Sequence, residues 1–417
     1  MTTGFEMLRD RVRAHLPATL PPRLGVAVSG GSDSTALMHL MADISRREGI
    51  ALFVATVDHG LRDEAADEAK TVAAQAQELG LPHETLRWQG WDGLGNLQDQ
   101  ARRARYRLLT QWAEALGLGA IVLGHTADDQ AETVLMRLAR SSGVSGLSGM
   151  AHVRSQGNVK LLRPMLSVTR AELRNYLTDI GVKWIEDPSN RDHRFDRIKA
   201  RKALEQLDPL GITTQTLTDV AENLERAGEA LAQYAQDSAR QIIRVDGGDL
   251  TVDRQGFVGL PEEIRRRIII AAVTWIAGRD YPPRQSTIDR AQQALSAGQT
   301  LPIGGCLLVP DREKTWICRE LKPVGEVVTG VAEAWDDRWI VTGPVRPNVE
   351  VRALGENGIL RLSDWRELGK PRKVLLSSPA VWSGETLLAA PLAGLPGEWH
   401  VKLSEKRPEF FASILSH

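Results

Sequence analysis

The stretch Leu24-Gly-Val-Ala-Val-Ser29-Gly30-Gly31-Ser32-Asp33-Ser34-Thr35 joins an apolar run to a turn of two glycines set between serines. The apolar-periodic run 36–44 follows it. Strand, small-residue loop and helix in that order make a place to hold phosphate. The helix start offers unpaired backbone N–H groups and the positive end of its dipole. Gly30 and Gly31 can take positive φ and let the backbone close around an anion. No Gly-Lys-Ser/Thr follows, so the loop is not a Walker A sequence, and its spacing is not GxGxxG. The plainer reading of the same residues is a strand–helix connection capped by Ser32 or Asp33.

Working outward, residues 4–16 read as a lead-in helix ended by Pro21 and Pro22. Strands are expected at 24–29, 50–57, 83–88 and 120–124, and helices at 34–47, 64–79, 96–116 and 127–140. Continuous apolar strands separated by helices of that length predict a parallel sheet covered on both faces, an α/β fold. Right-handed crossovers put the loops after the strands on one edge, where ligands bind in such sheets. Residues 29–34, Asp58-His59-Gly60 and 125–129 are expected to meet there.

The pattern changes after residue 140. Ser141-Ser-Gly-Val-Ser-Gly-Leu-Ser-Gly149 has the composition of a loop or lid. An extended piece at 161–165 and a helix at 169–180 follow. Helices at 213–241, 261–278 and 287–297, with strands at 301–309 and 315–319, predict a mainly helical middle domain. From about Pro323 short runs rich in Gly, Pro, Val and Trp predict a small mixed or β-rich final domain. The expected division is 1–208, 209–322 and 323–417, in keeping with the size of the chain.

Formal net charge is −1, which neither points to nucleic acid nor excludes it, because local patches steer binding. The N-terminal residues carry charges throughout and show no secretory h-region. The apolar run 268–277 is too short to span a bilayer and reads as a core helix. Cys306 and Cys318 lie apart without CxxC spacing, which argues against a disulfide framework or thiolate metal site. A cytoplasmic chain without a membrane partner is expected.

Three further stretches carry chemistry. In Gly124-His125-Thr126-Ala127-Asp128-Asp129-Gln130-Ala131-Glu132-Thr133, helix capping explains one aspartate. Asp128, Asp129 and Glu132 beside His125 exceed that need, and near a triphosphate they could hold Mg²⁺ or take a proton from an amine. In Asn96-Leu-Gln-Asp-Gln-Ala101-Arg102-Arg103-Ala104-Arg105-Tyr106, helical spacing places Arg102, Arg105 and Tyr106 on one face. That face is either a solvated basic surface or the rim of the cleft, where Arg binds phosphate bidentately. In 184–202, Asp187-Pro188-Ser189-Asn190 is a turn, and Arg194, Arg197 and Arg201 follow along one helix side. These suit phosphate-backbone contact with Phe195 or Trp184 stacked on a base, or a solvated helix with local ion pairs.

Together these motifs resemble the tRNA(Ile)-lysidine synthetase family of the PP-loop ATP pyrophosphatases. SGGSDS is common to that whole superfamily. NLQDQARRARY, LGHTADDQAET, SSGVSGLSGM, LLRPML and WIEDPSNRDHRFDR follow in the family's order, and DWRELGKPRKVLLSSPAVWSGETLLAAP resembles its C-terminal domain. Two positions depart from it. Ser141 stands where the family often has glycine, and Ile198 where it often has asparagine.

The resemblance implies a ligase that joins L-lysine to C2 of the wobble cytidine of CAU-anticodon tRNA(Ile), changing codon reading from AUG to AUA. ATP would adenylate the C2 oxygen, giving AMP and pyrophosphate. It implies that Ser29, Gly30, Gly31, Ser32, Asp33 and Ser34, with Asp58, His59 and His125, bind ATP. Asp33 and Asp129 would neighbour Mg²⁺. Asp33, Asp128, Asp129 and Arg105 would carry catalysis, with Asp129 ahead of Asp128 as the base. Asn96, Arg102, Tyr106, Glu132, Arg194, Arg197 and Arg201 would contact lysine or tRNA. The rivals are a tRNA 2-thiolation enzyme, which calls for cysteines beside the ATP site, a glutamine-dependent amide ligase, and a non-catalytic ATP-binding sensor.

Overall fold

The computed structural model describes residues 4–60, 65–89, 97–186, 196–278, 282–405 and 407–415. Asn96, Arg194 and the turn 187–190 lie outside the described residues. The chain divides into two compact units, Met1–Gly228 and Glu229–His417.

In the first unit, α1 (Gly4–Ala14) precedes strands β1 (Arg23–Ala27), β2 (Ala51–Asp58), β3 (His83–Arg87), β4 (Ala120–Leu123), β5 (Val153–Gln156) and β6 (Val159–Leu162). They form one sheet in the order β3-β2-β1-β4-β6-β5, parallel except for the β5–β6 hairpin. Helices α2 (Ser32–Glu48), α3 (Ala65–Glu78), α4 (Leu97–Ala115) and α5 (Ala127–Leu138) follow the first four strands in turn. Period-two alternation divides each apolar strand between the two faces. Leu24 and Val26 of β1 pack with α1, α2 and α3, while Ala27 packs with Leu109 and Trp112 of α4. Gly25 is glycine because a Cβ there would lie 2.6 Å from the Trp112 ring.

The strand order gives the active edge. From β1 the chain steps outward to β2 and β3, then returns across β1 to β4. The order reverses between β1 and β4, and a crevice at their carboxyl ends is where ligands bind such sheets. Residues 29–34 span the loop after β1 and the first residues of α2, and the loop after β4 holds residues 124–126.

Beyond β4, the stretch 141–149 is built in rather than loose. It contains the short helix α6 (Val144–Leu147). Arg137 Nη1 donates to the carbonyls of Gly146 at 2.6 Å and Gly149 at 2.5 Å. Gln130 exchanges two hydrogen bonds with the Met150 backbone. The polar, exposed edge strand β5 carries no apolar signal and was not legible beforehand. Helices α7 (Arg170–Asp179), α8 (Asp196–Leu207) and α9 (Thr214–Ile242) follow.

The second unit begins within α9. Strands β7 (Ile243–Asp246) and β8 (Asp249–Asp253) form a hairpin across Gly247 and Gly248, both at positive φ. Helices α10 (Arg254–Val258), α11 (Glu262–Ala277) and α12 (Gln285–Ala297) precede β9 (Leu301–Ile303), β10 (Cys306–Asp311) and β11 (Lys314–Arg319). The five strands pair antiparallel in the order β7-β8-β11-β10-β9. The region read as mainly helical therefore also holds a sheet, on which the apolar α11 is buried as a core helix. Two three-stranded antiparallel sheets follow within 334–403. Cys306 and Cys318 are buried on β10 and β11, their Sγ atoms donating to the carbonyls of Val273 and Leu307. Among the described residues no helix is long and apolar enough to cross a membrane.

Ser141 holds φ of 53°, a left-handed conformation that costs an L-residue about 1–2 kcal/mol. S141G is therefore expected to stabilise the chain by about 1 kcal/mol, raising its thermal midpoint by about 2–4 °C. Thermal unfolding checks this, and an unchanged or lower midpoint would show that the serine compensates for its backbone.

Candidate active site

In the stretch after β1 the serines bond one another and the backbone. Ser29 N–H donates to Ser34 Oγ at 3.1 Å, and the two hydroxyls lie 3.2 Å apart. Thr35 Oγ1 donates to Gly30 O, and Ser32 Oγ donates to Asp33 Oδ1 at 2.9 Å. Gly31 occupies the N-cap of α2, where no side chain bonds the first-turn N–H groups. An uncapped helix start preceded by a glycine loop is an anion site. Gly30 sits at φ of +88°, and a Cβ there would lie 2.6 Å from Ile185 Cδ1. The Ile185 N–H donates to Gly30 O at 2.9 Å, so residues 184–186 are fastened to this loop.

The loop after β4 approaches equally closely. A Cβ on Gly124 would lie 3.1 Å from Ser34 Cα, so glycine lets this strand end reach the start of α2. Thr126 and Asp129 form a capping box: Asp129 Oδ2 accepts from Thr126 N–H at 3.0 Å. Asp129 Oδ1 faces Arg170 Nη2 at 3.7 Å and Arg197 Nη1 at 3.8 Å. Asp128 points elsewhere and accepts from the Arg170 backbone N–H at 2.7 Å. Arg170 Nε donates to Asp33 Oδ2 at 3.0 Å. Asp33 and Asp129, distant in sequence, thus converge on one guanidinium.

These surroundings set the protonation states. Burial raises the Asp33 carboxyl above the usual carboxylate range, against the pull of Arg170. Burial would raise Asp129 too, but Arg197, Arg170 and the Thr126 N–H outweigh it and hold that carboxyl below the usual range. Burial pushes the His125 imidazole down to about 3 despite Asp129, with Arg163, Arg105 and Arg197 acting in the same direction. His125 is neutral at pH 7, and its buried Nδ1 has no partner among the described residues.

Basic and aromatic groups line the remainder. Burial lowers the Arg105 guanidinium, which stays charged at any physiological pH. Arg102 lies over the Tyr106 ring at 5.2 Å. Burial would raise the Tyr106 phenol, but Arg102, Arg163 and Arg105 lower it. At the end of β2, Asp58 Oδ1 accepts from Gly60 N–H, and His59 meets Trp88 edge-on at 5.9 Å. Burial, then Arg105, lowers His59. Arg197 and Arg201, one turn apart on α8, reach Asp129 and Glu132 on α5. Arg201 Nη2 and Nε bond Glu132 Oε1 at 2.8 and 3.0 Å, so Arg201 is committed to an internal carboxylate. The structure gathers Asp33, Asp129, His125, Arg105 and Arg197, and gives Asp128 to the backbone of α7.

The PP-loop domain family matches residues 7–207. A tRNA(Ile)-lysidine synthase from Ruegeria pomeroyi is 52% identical over 417 residues, covering 100% of both chains. The chain belongs to the tRNA(Ile)-lysidine synthase family. A namesake from Wolbachia pipientis wMel is 35% identical over 331 residues, covering 77% of each chain. One from Bradyrhizobium diazoefficiens is 42% identical over 291 residues, covering 66% of this chain and 80% of the relative.

In this lysidine synthase family member two site arginines escaped the reading of the sequence. Arg163, 4% exposed, donates to Ala151 O at 2.9 Å and lies against Tyr106. Arg170 had a signal: a cation in the first turn opposes the helix dipole, so nearby anions must hold it.

Glu132 is 1% exposed, and its Oε2 is buried with no partner among the described residues. Burial raises its carboxyl above the ordinary 4.5 even beside Arg201. A carboxyl raised by folding stabilises while protonated and loses that contribution as pH rises through its folded pKa. E132Q is expected to melt higher than the parent chain at pH 7, by the equivalent of about 1 kcal/mol. The gap should close as pH falls below 4.5. Melting curves across pH check this, and a destabilised E132Q at pH 7 would show that the ion pair outweighs its desolvation.

Proposed function

We infer that this chain ligates L-lysine to C2 of the wobble cytidine of CAU-anticodon tRNA(Ile), consuming ATP and releasing AMP and pyrophosphate. The observation that carries this is the meeting, at one sheet edge, of an uncapped glycine-loop helix start with Asp33, Asp129 and a bank of arginines. It occurs in a chain aligned end to end with a lysidine synthase.

A carbonyl oxygen leaves poorly, so it must first be adenylated. The loop Ser29–Ser34 receives the phosphates on backbone N–H groups, and His59 and Asp58 border the adenosine. Arg105 faces the developing phosphate charge. The incoming lysine places its side-chain nitrogen against Asp129 Oδ1, which Arg170 and Arg197 face at 3.7 and 3.8 Å without a hydrogen bond among the described residues. The ammonium first loses a proton to water; the neutral amine then attacks C2 as the C2–O bond to AMP breaks, and the nitrogen, made acidic by the new C–N bond, gives a proton to Asp129. Neutral His125 beside it adds no competing positive charge. Asp128 holds the start of α7 in place. Glu132, Arg102, Tyr106 and Arg197 border lysine or the nucleotide, and residues 209–322 and 323–417 contact the body of the tRNA.

Asp33 and Asp129 suit Mg²⁺, which takes hard oxygen from one or two carboxylates and completes its shell with water and phosphate. When bound, the ion would offset charge on the departing pyrophosphate.

Pyrophosphate release from ATP should require lysine and tRNA together. Release with a sulfur donor or ammonia in place of lysine would overturn the reading. D129N is expected to lose about 10²–10⁴ in turnover while keeping its affinity for tRNA. Turnover within about tenfold of the parent, about 1.4 kcal/mol in barrier, removes Asp129 as the base.

A further inference from the structure

Three helix starts converge at the crevice: α2 with Asp33 in its first turn, α5 with Asp128 and Asp129, and α7 with Arg170 as its first residue. Each brings the positive end of a dipole, where a cation is disfavoured and carboxylates are favoured. Arg170 stands against that preference. Its side chain, one-fifth exposed, bonds Asp33 Oδ2 and faces Asp129 Oδ1, and its backbone N–H bonds Asp128 Oδ2. Asp33 Oδ2 is therefore already engaged by a guanidinium nitrogen, as Oδ1 is by the Ser32 hydroxyl. No other residue touches all three carboxylates among the described contacts.

We propose that Arg170 is a positioning residue that holds Asp33 and Asp129 together as a stand-in cation, so that the pair takes up Mg²⁺ only with the nucleotide. The inference deepens the ATP-dependent reading of this site and rests on it. A guanidinium fork spans two carboxylates, whereas an ammonium is a point donor and cannot hold both in register. With the fork removed, two neighbouring carboxylates repel and gain affinity for a free divalent ion. With it present, free Mg²⁺ meets an already neutralised pair. ATP, bringing phosphate oxygens, supplies the remaining ligands, and Arg170 keeps the two carboxylates in register around the ion.

The test is thermal unfolding of the full chain with MgCl₂ alone, without nucleotide or tRNA. The parent midpoint should not move between EDTA and millimolar Mg²⁺. R170Q should melt lower in EDTA and recover with Mg²⁺, and the further change D33N should abolish that recovery. R170K, which keeps the charge, provides a second readout in pyrophosphate release: KM for ATP within about threefold and kcat down by about 10–100-fold, or about 1.4–2.7 kcal/mol. A parent chain already stabilised by Mg²⁺ alone overturns the proposal. So does R170Q that melts cooperatively without a Mg²⁺ response, or R170K with parental kcat. The melting experiment needs no substrate, so failure of the ligase reading in the release assay is distinguishable from failure here.

Discussion

Positive helix ends crowded into one crevice need negative charge, and that need organises the first unit. The α2 start is left without a side-chain cap, open to an anion from outside. The α5 start caps itself through Thr126 and Asp129. The α7 start is capped by Thr169 and Glu172 and tied to Asp128. One end is satisfied from within its own helix, one partly from a neighbour, and one is reserved. That asymmetry makes the crevice a phosphate site instead of a sealed junction. It also explains why adjacent aspartates differ: on a helix, neighbouring side chains diverge, so Asp129 turns to the cleft while Asp128 reaches the next helix.

Close backbone approach is the second constraint. Gly124 lets the end of β4 meet the start of α2, and Gly30 lets residue 185 bond the glycine loop. The ATP loop and the start of the basic segment are therefore joined through one carbonyl. Ile185 sits between Trp184 and Glu186, whose side chains bond each other at 2.8 Å.

Much of this was legible in the sequence, for stated reasons. Strands β1 and β4 are apolar on both faces, and the glycine–serine turn after β1 has few other physical uses, so the sheet and its active edge could be read. The edge strand β5 is polar, and the β7–β8 hairpin lies between a long helix and a core helix, where its Asp-Gly-Gly-Asp turn was the one available sign. The stretch 141–149 looked loose by composition because its anchors, Arg137 and Gln130, lie upstream on α5. The arginines of α8 were expected to face phosphate. Local ion pairing was the other reading, and Arg197 and Arg201 do meet Asp129 and Glu132 of α5, a pairing across helices that period and spacing alone cannot give.

That burial bears on function. A neutral glutamine or an apolar residue would fill the buried Glu132 position on α5 at less cost than an ionised carboxylate with a lone buried oxygen. Arg201 satisfies Oε1 and leaves Oε2 bare, so the pair is incomplete as a structural ion pair. A half-satisfied buried carboxylate one turn beyond Asp129 is the arrangement expected of a group waiting for a cationic partner. The substrate inferred for this crevice carries two amines, one to react at Asp129 and one to be recognised. The two carboxylates are prepared differently: Arg201 bonds Glu132 Oε1 twice and leaves Oε2 buried, whereas Arg170 and Arg197 face Asp129 Oδ1 at 3.7 and 3.8 Å without bonding it.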